Sequence, residues 1–259
     1  MNVAVIGATG RMGTEVCKAV IDSPDLTLVA AVDPAHAGAQ LADIIGVNSL
    51  VTISGALTDL VVDMIDCAVE FTGPATVAAN LSWLLEHGVH TVVGATGLTD
   101  EAITAARQSA SLGGVNALIA PNFAIGAVLL ERFATQAVKY FPHVEVIELH
   151  HDQKVDAPSG TALRTARLLS EARSTAVLPM GGDADYPGAR GALVHGIAVH
   201  SIRLPGLIAH EEVIFGGDGE VLTLRHDSLS RSSFMPGVLH AIRQVATLEG
   251  VIVGLDQIL

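Results

Sequence analysis

The fold is decided by the stretch Val3-Ala4-Val5-Ile6-Gly7-Ala8-Thr9-Gly10-Arg11-Met12-Gly13, in which an apolar run passes directly into regularly spaced glycines. The apolar residues predict a buried strand, and the glycines predict a tight turn into a helix over 11–21. Glycine lets backbone N–H groups approach a pyrophosphate at the positive end of that helix. The alternative interpretation is an ordinary strand-to-helix turn without a ligand.

An acidic residue further along the chain favours the nucleotide interpretation. Asp33 ends a second predicted strand, about 20 residues beyond the glycines, where a carboxylate can accept both hydroxyls of an adenosine ribose. Turn and acid together predict a dinucleotide site. Its candidate residues are Gly7, Ala8, Thr9, Gly10, Arg11, Met12 and Asp33.

The first 122 residues alternate apolar runs with helical patterns, which is typical of a parallel sheet covered by helices. We predict strands over 3–6, 26–32, 51–53, 67–71, 89–93 and 116–120. Helices are predicted over 11–21, 36–45, 74–86 and 99–111, with a helical turn within 57–64.

Two more loops follow predicted strands of this half. Gly94-Ala95-Thr96-Gly97 and Ala120-Pro121-Asn122-Phe123 both lie at carboxyl ends of strands, where an open parallel sheet forms its ligand crevice. We therefore predict that they flank a nicotinamide, although ordinary turn chemistry explains the same spacing.

The pattern changes after Pro121. Helices over 127–140 and 160–172 and strands over 144–149, 196–204, 211–215 and 221–225 predict a mixed or antiparallel sheet. The glycines of 216–219 predict a hairpin turn, and 179–191 is a Gly/Pro-rich loop. A last helix over 236–247 fits either half.

Polar residues are concentrated in the second half, in the run Glu148-Leu149-His150-His151-Asp152-Gln153-Lys154-Val155-Asp156-Ala157-Pro158-Ser159-Gly160-Thr161. Ser159 and Thr161 can cap the helix that follows, and with Gly160 they also present N–H groups and hydroxyls to an anion. Lys154, one of three lysines in the chain, supplies a compact cation that can donate a proton. The adjacent histidines point to opposite sides of an extended chain, so no metal site is predicted, and a solvated loop histidine is the alternative for each.

Composition excludes several classes of protein. The chain has 259 residues, 50% of them hydrophobic, with 14 basic and 27 acidic residues and a net charge of −13. That balance argues against a nucleic-acid partner. Every apolar run is interrupted before the ~20 residues of a membrane span. Two cysteines without Cys-x-x-Cys spacing predict reduced thiols, and we expect a cytoplasmic location.

Taken together, these motifs resemble the 4-hydroxy-tetrahydrodipicolinate reductase family of the diaminopimelate route to lysine, over nearly the whole chain. The run 148–161 is the most specific part of the resemblance. The family implies an α/β fold, with a Rossmann-like nucleotide domain over 1–122 and 235–259. It also implies an α+β mixed-sheet domain over 123–234, which binds substrate and assembles a homotetramer.

The resemblance also implies roles for individual residues. His150 resembles the family's proton donor/acceptor and Lys154 its proton donor, while His151, Ser159, Gly160 and Thr161 are placed at a cyclic dicarboxylate substrate. Gly94, Ala95 and Thr96, with Ala120, Pro121, Asn122 and Phe123, are placed at the nicotinamide. Many relatives have a third His in place of Gln153 and a Thr in place of Ala95. The first departure weakens any mechanism that needs a His relay, and the second removes one hydroxyl near the nicotinamide.

Both NADH and NADPH are expected as cofactors. Asp33 is followed by Pro34 and Ala35, without the Arg that some relatives use to hold a 2′-phosphate, so we expect NADH to serve at least as well as NADPH. Two other functions stay open. One is another two-domain Rossmann NAD(P) oxidoreductase, such as an amino-acid dehydrogenase, which would have no reason to carry the run 148–161. The other is a nucleotide-sensing regulator, although no basic face or DNA-binding segment is evident.

Overall fold

In a computed structural model of the chain, which describes residues 1–175, 186 and 188–259, Cα packing separates two units. One unit is Met1–Phe123 with Phe234–Leu259, and the other is Ala124–Ser233. The predicted loop over 179–191 falls largely outside the described residues.

The strands, in chain order, are β1 (Asn2–Ile6), β2 (Thr27–Val32), β3 (Ile53–Ser54), β4 (Cys67–Glu70), β5 (His90–Val93), β6 (Ala117–Ile119), β7 (His143–His150), β8 (Ala192–Val194), β9 (Ile197–Arg203), β10 (Ala209–Gly217), β11 (Glu220–Ser228) and β12 (Val251–Val253). The α-helices are α1 (Arg11–Ile21), α2 (Leu41–Ile45), α3 (Val77–Glu86), α4 (Asp100–Gly113), α5 (Ile125–Ala137), α6 (Gly160–Ala172) and α7 (Met235–Gln244). Short 3₁₀ turns lie at Pro34–His36, Leu57–Asp59, Val62–Met64, Arg231–Phe234, Val245–Thr247 and Leu255–Gln257.

The first unit is built on a parallel sheet of seven strands in the order β12-β6-β5-β4-β1-β2-β3. The predicted Rossmann-like sheet is therefore confirmed. Val3, Ala4 and Val5 of β1 are fully buried, as expected for a central strand covered on both faces. The order turns back between β1 and β4, and ligands of such sheets bind at the carboxyl edge beside that point.

The second unit is built on a mixed sheet in the order β11-β10-β7-β9-β8, in which only β7 and β9 are parallel. The predicted hairpin is present, because Gly217 pairs with Glu220 across a two-residue turn. Helices α5 and α6 pack on one face of this sheet, against Val146, Val199, Val213 and Phe215. The other face carries partly exposed apolar side chains.

Four predictions of local structure were wrong. Only the end of the helix predicted over 36–45 forms, because Gly38 has a positive φ and its N–H binds Ile53 O at 2.8 Å. Residues 74–76 of the helix predicted over 74–86 form a turn before α3. Strands β8 and β12 were not predicted; each has three residues and is paired by a neighbouring strand. Among the described residues, no helix is both long and apolar enough to cross a membrane.

Candidate active site

The Gly-rich turn joins β1 to α1 at the carboxyl edge of the first sheet. Gly7 has a φ of +79°, and a Cβ there would lie 2.9 Å from Phe71 O. A Cβ on Gly13 would lie 2.0 Å from Gly7 O, so the first turn of α1 packs directly on the glycine turn. Gly10, the N-cap of α1, supplies no side-chain hydrogen bond to the helix. This geometry fits the phosphate cradle that the spacing predicts.

Asp33 lies beside the same turn. Its Oδ2 accepts hydrogen bonds from the Thr9 N–H at 3.0 Å and from the Thr9 hydroxyl, and its Oδ1 accepts one from the Ala35 N–H at 3.2 Å. The Thr9 hydroxyl oxygen is also 3.0 Å from His36 Nδ1. The structure therefore brings together the acid and the turn that the sequence paired as a ribose and diphosphate site.

The two later loops meet at the same edge, around an aromatic pair. The rings of Phe71 and Phe123 are 5.9 Å apart at an interplanar angle of 49°. A Cβ on Gly94 would lie 2.2 Å from the Phe71 ring and 2.9 Å from the Phe123 ring. A side chain at Gly94 would therefore displace both rings, and Gly94 lies next to Phe123. Ala120 and Phe123 are buried, whereas Pro121 is exposed.

Sequence reasoning missed Glu70, which ends β4, and the residues that follow this strand. Glu70 is fully buried and accepts hydrogen bonds from the Thr72 N–H and hydroxyl and from Asn80 Nδ2 at 3.0 Å. These bonds hold the chain between β4 and α3 against the Gly-rich turn, since a Cβ on Gly7 would also lie 3.2 Å from Thr72 N. An acid that ends an otherwise apolar central strand, as in Cys67-Ala68-Val69-Glu70, is the signal that could have found them.

In the second unit, His150 ends β7 and is held by a fully buried carboxylate. Glu148 Oε2 lies 2.5 Å from His150 Nδ1, and both Glu148 oxygens bind Arg203, at 2.9 and 2.7 Å. Burial raises the pKa of Glu148, but hydrogen bonds from His150, Arg203 and Ser201 outweigh it and lower the pKa to about 2. Glu148 is therefore ionised throughout the physiological pH range.

Lys154 lies in the loop that follows β7. Its Nζ is 2.8 Å from Asp156 Oδ1, and its side chain is 23% exposed, so the ammonium remains accessible. The hydrogen bond from Lys154 lowers the pKa of Asp156. His151, which is half-buried, accepts the Lys154 N–H at its carbonyl oxygen at 3.2 Å.

The start of α6 follows the same loop. Ser159 is the N-cap, and its hydroxyl accepts the Ala162 N–H at 3.2 Å. Gly160 is exposed, and a Cβ there would meet nothing within 4 Å, so open space lies in front of this helix end. Thr161 is half-buried. Of the two predicted capping hydroxyls, that of Ser159 takes the N-cap position.

A second buried carboxyl group lies beside Glu148 on the neighbouring strand. Glu211 of β10 is paired in register with Glu148 and is 5% exposed. Burial, together with the charges of Glu131 and Glu148, raises the pKa of Glu211 to about 7. Its Oε1 has no hydrogen-bond partner among the described residues.

Sequence reasoning gave no role to Glu148, Arg203, Asp156 or Glu211. Glu148 lies within the polar run and could have been noticed as an acid two residues from a histidine on one face of a strand. Nothing local indicates Arg203, since its partner is distant in sequence. Among the residues that the structure describes, no group of three or more His, Cys, Asp or Glu side chains is arranged to hold a metal ion.

Comparison with known proteins gives one consistent result. The family model "Dihydrodipicolinate reductase, N-terminus" matches residues 1–123, and "Dihydrodipicolinate reductase, C-terminus" matches residues 126–259. A 4-hydroxy-tetrahydrodipicolinate reductase from Listeria monocytogenes serotype 4b is 48% identical over 262 residues, which cover 100% of both chains.

Solved structures give the same family and a wider fold group. Dipicolinate-bound dihydrodipicolinate reductase from Paenisporosarcina sp. TG-14 matches with a TM-score of 0.88 at 41% identity, covering 100% of this chain and 99% of that one. An amine dehydrogenase from Mycobacterium smegmatis matches with a TM-score of 0.67 at 15% identity, covering 100% of this chain and 96% of that one. The second match shows the fold alone.

Proposed function

The chain belongs to the dihydrodipicolinate reductase family, and from this premise we propose that it reduces 4-hydroxy-tetrahydrodipicolinate to tetrahydrodipicolinate in the diaminopimelate route to lysine. The observation that carries the proposal is the polar site of the second unit. One short segment, His150 to Thr161, carries three polar features. They are a histidine bound to a buried carboxylate, the accessible ammonium of Lys154 and the open start of α6 at Gly160.

The first unit supplies the nucleotide site in this proposal. The close approaches at Gly7 and Gly94 leave no space for a Cβ, and the Asp33 carboxylate stands beside the turn, which fits an NAD(P)H diphosphate and ribose. When bound, the cofactor supplies the hydride. Gly7 to Met12 and Asp33 would hold its adenosine half, and residues 94–96 and 120–123 would hold its nicotinamide half.

The second unit supplies binding groups for a dicarboxylate. The Lys154 ammonium would bind one carboxylate of the substrate. The N–H groups of Gly160 and Thr161, at the positive end of α6, would bind the other carboxylate. Ser159 caps the helix and fixes these N–H groups. We also propose that His151, which is next to the proposed proton carrier His150, contacts the substrate.

Proton transfer is the second task of this unit. Replacing the substrate hydroxyl by hydride releases water, so each turnover takes up one proton in addition to the hydride. Lys154 can deliver a proton to the substrate because its ammonium is compact and accessible. The His150 ring, held at Nδ1 by Glu148, can exchange a proton at Nε2.

The direct test mixes the protein with substrate freshly generated by the preceding synthase and follows nicotinamide absorbance. We expect cofactor oxidation that depends on both the synthase product and this protein. An amino-acid dehydrogenase would instead respond to an amino acid with oxidised cofactor, and a nucleotide-sensing regulator would show neither reaction. Either of those results would refute the proposed reaction.

Cofactor choice gives the first prediction. We expect NADH to be used at least as well as NADPH, because the Asp33 carboxylate repels a 2′-phosphate and Pro34 and Ala35 supply no cation to offset it. Arg11, which is exposed at the start of α1, allows some use of NADPH. Asp33→Ala should weaken NADH binding more than NADPH binding, as measured by fluorescence titration. A preference of the wild type for NADPH above about tenfold, or 1.4 kcal/mol, would contradict this expectation.

Assembly gives a second prediction. Helix α6 packs on one face of the second sheet, while Ile202 on the opposite side of β9 is 37% exposed and Leu193 of β8 is 61% exposed. Apolar side chains on an uncovered sheet face favour a subunit interface. We propose a homotetramer, and light scattering at micromolar concentration should report four chains. A stable monomer under those conditions would rule it out.

We propose the cytoplasm as the site of this reaction. Both cysteines, Cys17 and Cys67, are free thiols and buried. Burial raises the pKa of Cys17 to about 12 and raises that of Cys67 further, so neither forms a reactive thiolate. Reduced, structural thiols are typical of proteins from a reducing compartment.

A further inference from the structure

Glu148 lies at the centre of the polar site without being exposed to it. The side chain is fully buried, yet both of its oxygens accept hydrogen bonds. Oε2 lies 2.5 Å from His150 Nδ1 and 2.9 Å from Arg203 Nη1, and Oε1 lies 2.7 Å from Arg203 Nη2 and 3.2 Å from the Ser159 N. A buried charge held this completely acts through the groups that it binds.

The bond to His150 selects which ring nitrogen carries the proton. An ionised carboxylate has no hydrogen to donate, so His150 Nδ1 must be the donor in the 2.5 Å contact. In the neutral ring, Nε2 is then the free acceptor, although the opposite tautomer is the common one for an unconstrained histidine. Glu148 thereby decides which atom of His150 is able to exchange a proton.

The same carboxylate joins three segments that are separate in sequence. It binds the end of β7 through His150, the end of β9 through Arg203 and the start of α6 through the Ser159 N–H. Arg203 Nη2 also donates to Asp156 O at 2.8 Å, and the Asp156 carboxylate holds Lys154. Loss of this carboxylate would therefore disturb the contacts that hold both proposed proton carriers, His150 and Lys154.

The neighbouring acid leaves Glu148 as the charged member of the pair. Glu211, opposite Glu148 in the register of β10 and β7, is buried with a raised pKa, so near neutrality it retains its proton much of the time. The negative charge is thus held on Glu148, beside His150 and the Arg203 guanidinium.

From these contacts we propose that Glu148 is the positioning residue of the site: it holds His150 in the tautomer with Nε2 free and fixes the loop of Lys154 through Arg203. The assignment rests on the proposed function, in which His150 exchanges a proton with the substrate. Glu148 touches neither substrate nor cofactor in this proposal and acts only through His150, Arg203 and the Ser159 turn.

The kinetic test uses Glu148→Gln, which keeps the size of the side chain and removes its charge. A carboxylate that fixes the tautomer of a proton-transferring histidine is worth up to about 10⁴-fold in kcat, so we expect kcat to fall by about 10-fold or more. KM for the substrate and Kd for NADH should change less than about threefold, because the amide oxygen of glutamine can still accept from Arg203 and the Ser159 N–H and so keeps the Lys154 loop in place. The matched control is Glu145→Gln, which removes the other β7 glutamate that pairs with both a histidine, His200 at 2.8 Å, and an arginine, Arg190. It should keep wild-type kcat.

Retained kcat in folded Glu148→Gln, or an equal loss in Glu145→Gln, would overturn the assignment. A second measurement needs neither activity nor a folded variant at Glu148. Two-bond ¹H–¹⁵N correlation spectra of the ¹⁵N-histidine-labelled wild type at pH 8 report the tautomer of each neutral ring. The His150 signals are identified as those that are missing from the spectrum of His150→Gln. We expect the Nδ1–H tautomer at His150, and the Nε2–H tautomer would refute the proposal. If the wild type fails to reduce the substrate, the proposed function fails, while the spectrum still tests the placement of the proton.

Discussion

Lys154→Arg is expected to lose most of the activity while retaining its fold and its affinity for NADH. Arginine keeps the positive charge, but its guanidinium is larger, planar and charged at any working pH, so it cannot give up a proton as an ammonium can. Loss of a proton donor typically costs about 10² to 10⁴ in rate. Part of the loss should appear as a raised KM, because Lys154 is also proposed to bind a substrate carboxylate.

The chain offers a matched control for this substitution. Lys139 is exposed at the end of α5, where its Nζ lies 3.3 Å from Gln136 Oε1. Lys139→Arg makes the same chemical change far from any proposed role and should keep wild-type kcat/KM. The kinetics of both variants should be measured beside NADH titration and thermal unfolding. Near-wild-type kcat/KM in Lys154→Arg would mean that the proton comes from another group.

His150→Gln should lower kcat by about 10²-fold or more, since glutamine cannot carry a proton between donor and acceptor at neutral pH. Affinity for NADH should be unchanged, because the proposed nucleotide residues all lie in the other unit. The measurement is steady-state kinetics together with NADH titration by fluorescence.

His143→Gln is the control for that variant. His143 begins the strand that His150 ends, and it is exposed, so its replacement should not alter kcat. Loss of NADH binding in a folded His150→Gln protein would place this histidine in the nucleotide pocket and contradict its assignment to proton transfer.

Much of the first unit was predictable because its signals are local. Glycines at 7, 10 and 13 permit a turn that other residues cannot form, and Asp33 lies at the spacing that ends the second strand. Helices α1 and α6 were predicted with their observed bounds, since each has an apolar face of helical period. Short elements without such a period, like β12, were missed because pairing with a distant strand creates them.

The sequence by itself determined the fold class, the family and the segment that we propose to carry the chemistry, because turn chemistry and periodicity act over a few neighbouring residues. Only the tertiary structure decided how those residues are held. Arg203 reaches Glu148 from 55 positions away, and Phe71, Gly94 and Phe123 meet although they come from three different strand ends. The raised pKa of Glu211 likewise depends on burial opposite Glu148. Such contacts depend on strand order and register, which decide which residues of neighbouring strands lie side by side. The local sequence around either partner does not indicate this pairing.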